Sequence, residues 1–215
     1  MNKNMSQIYI IDKIRLTDKG LIICGSQQQA HLRQGELDGA CAVYSMMMCL
    51  TIEKIIKRSL ITDVPSSLKR NTSDGRLVKY FLEKQGMVIN GYTLESLKED
   101  LQSAFKKKVE SYYNNGEETE LVGDIIRCLH DNHPVELAFS YARKKYGHAI
   151  VAIGYKKNEH STTLYCLDPG YPIEACQIWN NVLEIDTGST AKFNCYNMMD
   201  NRNVMIDEIL VFKKR

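Results

Sequence analysis

Among the cysteines at positions 24, 41, 49, 128, 166, 176 and 195, Cys41 has the local sequence best suited to a nucleophile. It follows the loop Gln34-Gly35-Glu36-Leu37-Asp38-Gly39-Ala40 and opens an apolar run that continues through Leu50. Asp38 stands where a side chain accepts backbone N–H bonds ahead of a first helical turn. A cysteine in that turn meets unpaired amides and the positive end of the helix dipole, both of which favour the thiolate. The competing reading is a small hydrophobe on a core helix. A thiolate nucleophile needs a base within hydrogen-bond reach, and the base needs an orienting partner. Of the five histidines, His31 and His160 fall in predicted loops, and His130 and His133 fall at the end of a predicted helix before Pro134. His148 instead opens the strand-like run Gly-His-Ala-Ile-Val-Ala-Ile-Gly-Tyr, which aims its ring rigidly. The following β-rich run ends in Asp168-Pro169-Gly170, so an antiparallel neighbour in suitable register brings Asp168 to His148. In this arrangement the carboxylate is expected to hold the Nδ1 proton and leave Nε2 facing the thiol. A satisfied histidine at a strand end and an everyday Asp-Pro-Gly turn are the structural alternatives.

The elements that must position these groups are legible in outline. Residues 8–16 and 21–24 are β-rich and flank Thr17-Asp18-Lys19-Gly20, which predicts an N-terminal hairpin. The helix opened by Cys41 is expected to run to about residue 58, apolar nearly all round at first and solvent-facing at Glu53, Lys54, Lys57 and Arg58. Ser73-Asp74 signals a helix through Gln85, with Leu77, Tyr80, Phe81 and Leu82 on one face and Gly86 at its exit. Thr93 caps a further helix to about residue 108, with Leu94, Leu97, Leu101 and Phe105 at helical spacing. After a turn at Asn114-Asn115-Gly116, Thr119 starts an amphipathic helix that Asn132-His133-Pro134 stops. From Pro134 the pattern changes to short β-rich runs at 135–141, 148–155, 162–167 and 207–213, and residues 187–203 read as a long surface excursion. Helices first and antiparallel strands afterwards predict an α+β fold in one domain over 1–215: an N-terminal hairpin and loop (1–33), a mainly helical lobe (34–133) and a mainly β lobe (134–215).

A chain of 215 residues is long enough to bury roughly 70% of its unfolded surface. Its 44% apolar and 25% charged residues are ordinary for a globular protein, and a net charge of +2 builds no strong field for nucleic acid or a membrane surface. No run reaches the ~18 apolar residues of a membrane span, and the N-terminus lacks the apolar core of a cleavable signal. The odd cysteine count, without a Cys-x-x-Cys pair or histidines at metal-ligand spacing, predicts free thiols in a reducing cytoplasm and no metal. Delivery by a route that reads no cleavable signal fits the same features. Arg143-Lys144-Lys145, just before His148, suits either a solvated turn or a cleft wall for acidic substrate. Lys106-Lys107-Lys108 reads as a dipole-favoured helix end. Met46-Met47-Met48 reads as core filling, because consecutive helical positions cannot converge on one ligand. Trp179 is expected to pack, with shielding of the His–Asp pair as the alternative.

The ordered set of Gln34, Cys41 at a helix N-terminus, His148 in Gly-His-Ala-Ile-Val-Ala-Ile-Gly-Tyr and Asp168 in Leu-Asp-Pro-Gly resembles the papain-like cysteine peptidases, most of all the bacterial branch of double-glycine leader peptidases. The resemblance spans about residues 34–170. It implies a papain-like α+β fold in which Cys41 is nucleophile, His148 base and Asp168 orienter. The counterpart of Gln34 supplies an oxyanion donor beside the backbone N–H of the nucleophile. Two departures stand out: Gln34 lies seven residues before Cys41 where the family usually has six, and Ala42 replaces the usual glycine. The implied function is hydrolysis of a peptide or isopeptide bond in a protein or peptide substrate, with no cofactor. Acyl transfer or glutamine deamidation would use the same triad, and a catalytically silent binding module is the reading from another class.

Overall fold

The computed structural model describes residues 7–34, 40–62, 71–73, 75–77, 93–105, 108–142 and 147–215. Its centre is an antiparallel sheet that closes on itself. Strands β1 (Tyr9–Ile10), β2 (Ile14–Thr17) and β3 (Gly20–Ile23) come first, followed by helices α1 (Cys41–Ile52), α2 (Ser59–Thr62) and α3 (Leu94–Phe105). Then come β4 (Val109–Asn114), α4 (Glu118–His130), β5 (Val135–Tyr141), β6 (Gly147–Lys157), β7 (Ser161–Leu167), β8 (Asn181–Asp186), β9 (Cys195–Asn197) and β10 (Arg202–Lys214). The pairings β5–β6, β6–β7, β7–β8, β8–β9, β9–β10 and β10–β5 form a closed ring of six strands, with β1 added to β6 and β4 to β10. Closure removes the open edges that a flat sheet would expose. Register shifts between Ala152 and Gly154 and between Ile206 and Glu208 supply the local bends a small barrel needs.

The α+β composition, the strands after Pro134 and the amphipathic helices follow the sequence pattern. Closure does not, and neither do three strands. Residues 109–113, which fall between the expected helix end and the expected turn at 114–116, form β4 together with Asn114 and pair with β10. Residues 181–186 form β8, and the expected excursion over 187–203 contains β9 and the start of β10, since Cys195 and Asn197 are fully buried between their neighbours. The expected N-terminal β run also divides: Thr17-Asp18-Lys19-Gly20 makes the hairpin, while Tyr9 and Ile10 leave it and pair with Tyr155 and Gly154. That pairing is possible because Gly154 has no side chain; a Cβ there would lie 2.3 Å from the Tyr9 carbonyl oxygen.

Helix α1 is buried along nearly its whole length, Met46, Met48 and Leu50 completely, as an all-apolar helix requires. It packs on β5, β6 and β10. It ends at Ile52 rather than near residue 58, because Lys54 adopts a left-handed conformation at φ 54°. Glu53, expected in solvent, is buried. Its carboxylate takes the Lys13 ammonium at 2.7 Å and His133 Nδ1 at 2.9 Å, joining the N-terminal segment, the end of α1 and the loop before β5. Thr93 does cap α3, its Oγ1 accepting the Ser96 N–H at 3.2 Å. Of the helix expected over 73–85, residues 73 and 75–77 are helical and the remainder, with Asp74, Tyr80, Phe81, Leu82 and Gly86, lies outside the described residues. The basic residues 106–107 and 143–145 lie outside them as well. No helix among the described residues is long and apolar enough to cross a membrane.

Candidate active site

The barrel collects its chemistry at one end. There β6 begins, β7 and β5 end, and the N-terminus of α1 arrives beside them. His148 pairs with Phe139 across the β5–β6 ladder, and the edge of its ring packs against the Phe139 ring with centroids 5.7 Å apart. The β6–β7 register places Val151 opposite Leu167, which carries the chain into Asp168 just beside His148. Asp168 Oδ1 lies 2.7 Å from His148 Nε2. The thiol of Cys41 hydrogen-bonds the same imidazole. With Nε2 taken by Asp168, the nitrogen left for sulfur is Nδ1, the reverse of the tautomer expected from triad logic.

Electrostatics at these groups are dominated by burial opposed by specific partners. Burial pushes the Cys41 thiol up. The hydrogen bond and charge of His148, with the backbone N–H groups of Ala149 and Ala42, outweigh it and hold the thiol below its ordinary value. Burial alone would lower His148, but the hydrogen bonds and charges of Asp168 and Cys41 raise it to about 10. A thiolate and an imidazolium therefore stabilise each other. The helix terminus contributes too, because the N-cap position falls on Ala40, which has no side-chain cap, so the first amides of α1 stay free for an anion. The proposed cap Asp38 and the loop glycines Gly35 and Gly39 lie outside the described residues.

Asp168 is fully buried, and both of its carboxylate oxygens are hydrogen-bonded. Oδ1 also accepts the Gly170 N–H at 2.8 Å, and Oδ2 accepts the Asn181 amide at 2.8 Å. Asn180 brackets the same residue, its Oδ1 accepting the Asp168 N–H at 2.7 Å and its Nδ2 donating to the Asp168 carbonyl at 2.9 Å. His31 Nε2 donates to that carbonyl at 2.8 Å, and burial lowers the His31 pKa so that the ring stays neutral. Gly170 sits close to the pair: a Cβ would stand 3.2 Å from Asp168 Oδ1, a tight contact, and 3.6 Å from the His148 ring. The sequence reading missed Asn180, Asn181 and His31, and the available signal was the pair of adjacent asparagines in a stretch otherwise read only for its tryptophan. Trp179 packs, its ring 4.3 Å from that of Tyr165.

Gln34 is tied to the same turn through its backbone N–H, which donates to the Pro169 carbonyl at 2.9 Å. Its Oε1 is buried without a hydrogen-bond partner, so that oxygen does not anchor the amide in a protein-internal bond.

A sequence model of the Peptidase_C39-like family matches residues 24–202, a span that contains Gln34, Cys41, His148 and Asp168. The chain belongs to the Peptidase_C39-like family. This family lies among the papain-like cysteine peptidases, on the double-glycine leader peptidase branch that the motifs around Cys41 and His148 resemble. The match begins at Cys24, at the end of the hairpin, and stops at Arg202, the first residue of β10. No curated protein matches the chain at a significant level.

Proposed function

We propose that this Peptidase_C39-like protein is a cysteine protease that hydrolyses a peptide or isopeptide bond through Cys41, His148 and Asp168. One observation carries the reading: a continuous line of contacts from the Cys41 thiol through the His148 ring to Asp168, with the thiol held low and the imidazole held high. In the proposed sequence the Cys41 thiolate attacks the carbonyl carbon and the negative charge moves to the carbonyl oxygen. The Cys41 backbone N–H and the Gln34 amide donate to that oxygen. His148 Nδ1–H then protonates the leaving amine, giving an acyl-enzyme and a neutral imidazole. Water, deprotonated by the same nitrogen, attacks the thioester and restores Cys41. Asp168 keeps its hydrogen bond to Nε2–H throughout and stabilises the imidazolium without taking its proton. The lowered thiol argues against a silent binding module, for which an ordinary thiol would be expected.

The test is digestion of a denatured-protein peptide mixture, read by mass spectrometry, with and without a labelled primary amine. The hydrolase reading expects new peptide termini with wild type and none with Cys41→Ala. Amine-labelled glutamines in place of new termini would establish acyl transfer instead, and no product of either kind would reject catalysis. Gln34→Ala is expected to lower turnover roughly 10²-fold, about 3 kcal/mol, without unfolding the protein; unchanged turnover would remove Gln34 from the oxyanion site.

A further inference from the structure

The turn between β9 and β10, residues 198–201, reaches the same end of the barrel as His148, because Val204 near the start of β10 pairs with Tyr141 at the end of β5. The proposed chemistry gives this turn no role. It carries Asp200, and its backbone is shaped around that residue. Asn197, fully buried at the end of β9, accepts the N–H groups of Met199 at 3.1 Å and Asp200 at 3.3 Å on its Oδ1. The Asn197 Nδ2 donates to Asp200 Oδ2 at 2.9 Å. Asn201 closes the turn in the left-handed region at φ 53°, which asparagine tolerates.

The Asp200 carboxylate holds two tyrosines at once. Its Oδ2 accepts the Tyr141 hydroxyl and its Oδ1 accepts the Tyr171 hydroxyl, each at 2.5 Å. The two tyrosines belong to different halves of the site. Tyr171 ends the Asp168-Pro169-Gly170-Tyr171 turn, its N–H donating to the Asp168 carbonyl at 3.4 Å. Tyr141 meets the Phe139 ring edge-on with centroids 5.5 Å apart, and Phe139 meets the His148 ring in the same way at 5.7 Å. One carboxylate is thus joined to Asp168 through one tyrosine and to His148 through the other. Burial, then the Asp200 hydrogen bond, raises the Tyr141 pKa; the Asp200 hydrogen bond, then burial, raises that of Tyr171, so both hydroxyls remain donors. The charge of Asp168 adds to both effects, while the exposed Arg202 opposes it at Tyr171. Hydroxyl bonds to a carboxylate at this length are charge-assisted and about twice as strong as neutral ones.

We infer that Asp200 is a positioning residue of the Cys41 site: by tying Tyr171 and Tyr141 to one carboxylate, it fixes the turn that carries Asp168 against the ring of His148. The inference rests on the proteolytic reading and goes beyond it by naming what keeps Asp168 Oδ1 and His148 Nε2 at 2.7 Å. Asp200 acts through the two tyrosines and takes no part in the bond-making steps. The test follows the His148 ring by NMR across a pH titration of the full chain, with thermal melting as the check on folding. Asp200→Ala is expected to lower the His148 pKa from about 10 by about one unit, a tenfold loss of proton affinity, and to move the alkaline limb of kcat/KM with it. Tyr171→Phe keeps the ring and deletes only the hydroxyl; it is expected to lower the proton affinity of His148 about threefold, and it decides the matter alone where Asp200→Ala does not fold. Met199→Ala changes an exposed side chain of the same turn and is expected to leave the His148 titration unmoved. An unchanged titration in folded Asp200→Ala or in Tyr171→Phe, or an equal shift in Met199→Ala, would overturn the inference. The readout needs no turnover, so the two readings fail separately: a wild type whose His148 titrates near 10 but which cleaves no peptide loses the protease and keeps the Asp200 hold on the pair.

Discussion

At the scale of single residues, Asp168 shows how much structure a charged group needs in order to be useful. Both of its carboxylate oxygens are engaged, one by His148 and Gly170 and the other by Asn181, and its own backbone is bracketed by Asn180 and His31. A fully buried carboxylate without such donors would take up a proton and cease to support an imidazolium. Asn181→Ala removes the donor to Oδ2, so the imidazolium loses support and the His148 pKa falls from about 10. The alkaline limb of activity should move to lower pH, with activity reduced roughly tenfold, or ~1.4 kcal/mol. A pH–rate profile separates this from a packing defect: a drop in rate with an unmoved alkaline limb would mean that Asn181 only packs. The candidate residues Cys41, His148 and Asp168 were legible as a group that the structure brings together, since each sits at the mouth of an element whose pattern the sequence displays. The ring nitrogen facing each partner was not legible, because it depends on approach directions set by the barrel. Glu53 was misread for a related reason: its partners Lys13 and His133 lie far away in sequence.

Among the elements, those with strong periodicity formed where the pattern placed them: α3, α4, β5 and β6 all match, because each buries one regular face or runs wholly through the core. Short or polar strands did not announce themselves. Strand β1 has two residues and exists only because Gly154 lets its backbone approach, and Ile11 then donates to the Ile153 carbonyl at 2.9 Å. Gly154→Ala would place a Cβ 2.3 Å from both the Tyr9 carbonyl oxygen and Ile10 Cδ1, closer than any side chain tolerates. Strand β1 is expected to lift from β6, and amide hydrogen exchange at Ile11 to rise by at least tenfold while the β5 amides stay protected. Unchanged exchange at Ile11 would mean that the N-terminal segment is held by the Glu53 network rather than by this pairing.

For the molecule as a whole, closure of the barrel is what brings the ends of β5, β6 and β7 into one site, and closure rests on β10. This strand pairs with β4, β5 and β9 and is fully buried from Ile209 to Phe212. The family match stops where it starts, so the structural importance of residues 202–215 exceeds what that match conveys. Deleting 202–215 is expected to abolish the cooperative thermal transition, because three strands lose their neighbour at once; a shortened chain that melts cooperatively near the wild-type temperature would contradict this. The ring was invisible in sequence because local patterns specify strands and their hairpins, whereas the β5–β10 partnership that closes the ring joins residues far apart in the chain, Tyr141 to Val204 and Glu136 to Leu210. The central claim concerns one thiol, and it is tested most directly by the pH dependence of Cys41 alkylation with iodoacetamide, followed on its own peptide in wild type and in His148→Ala. The ion pair forms once Cys41 loses its proton below the ordinary cysteine range of about 8.5 and persists until His148 deprotonates near 10. Wild-type Cys41 should therefore react rapidly at pH values where free cysteine is largely protonated, and His148→Ala should return its titration to 8.5 or above. Ordinary titration in both proteins, or a thiol inert in both, would contradict a Cys41–His148 ion pair and with it the hydrolase.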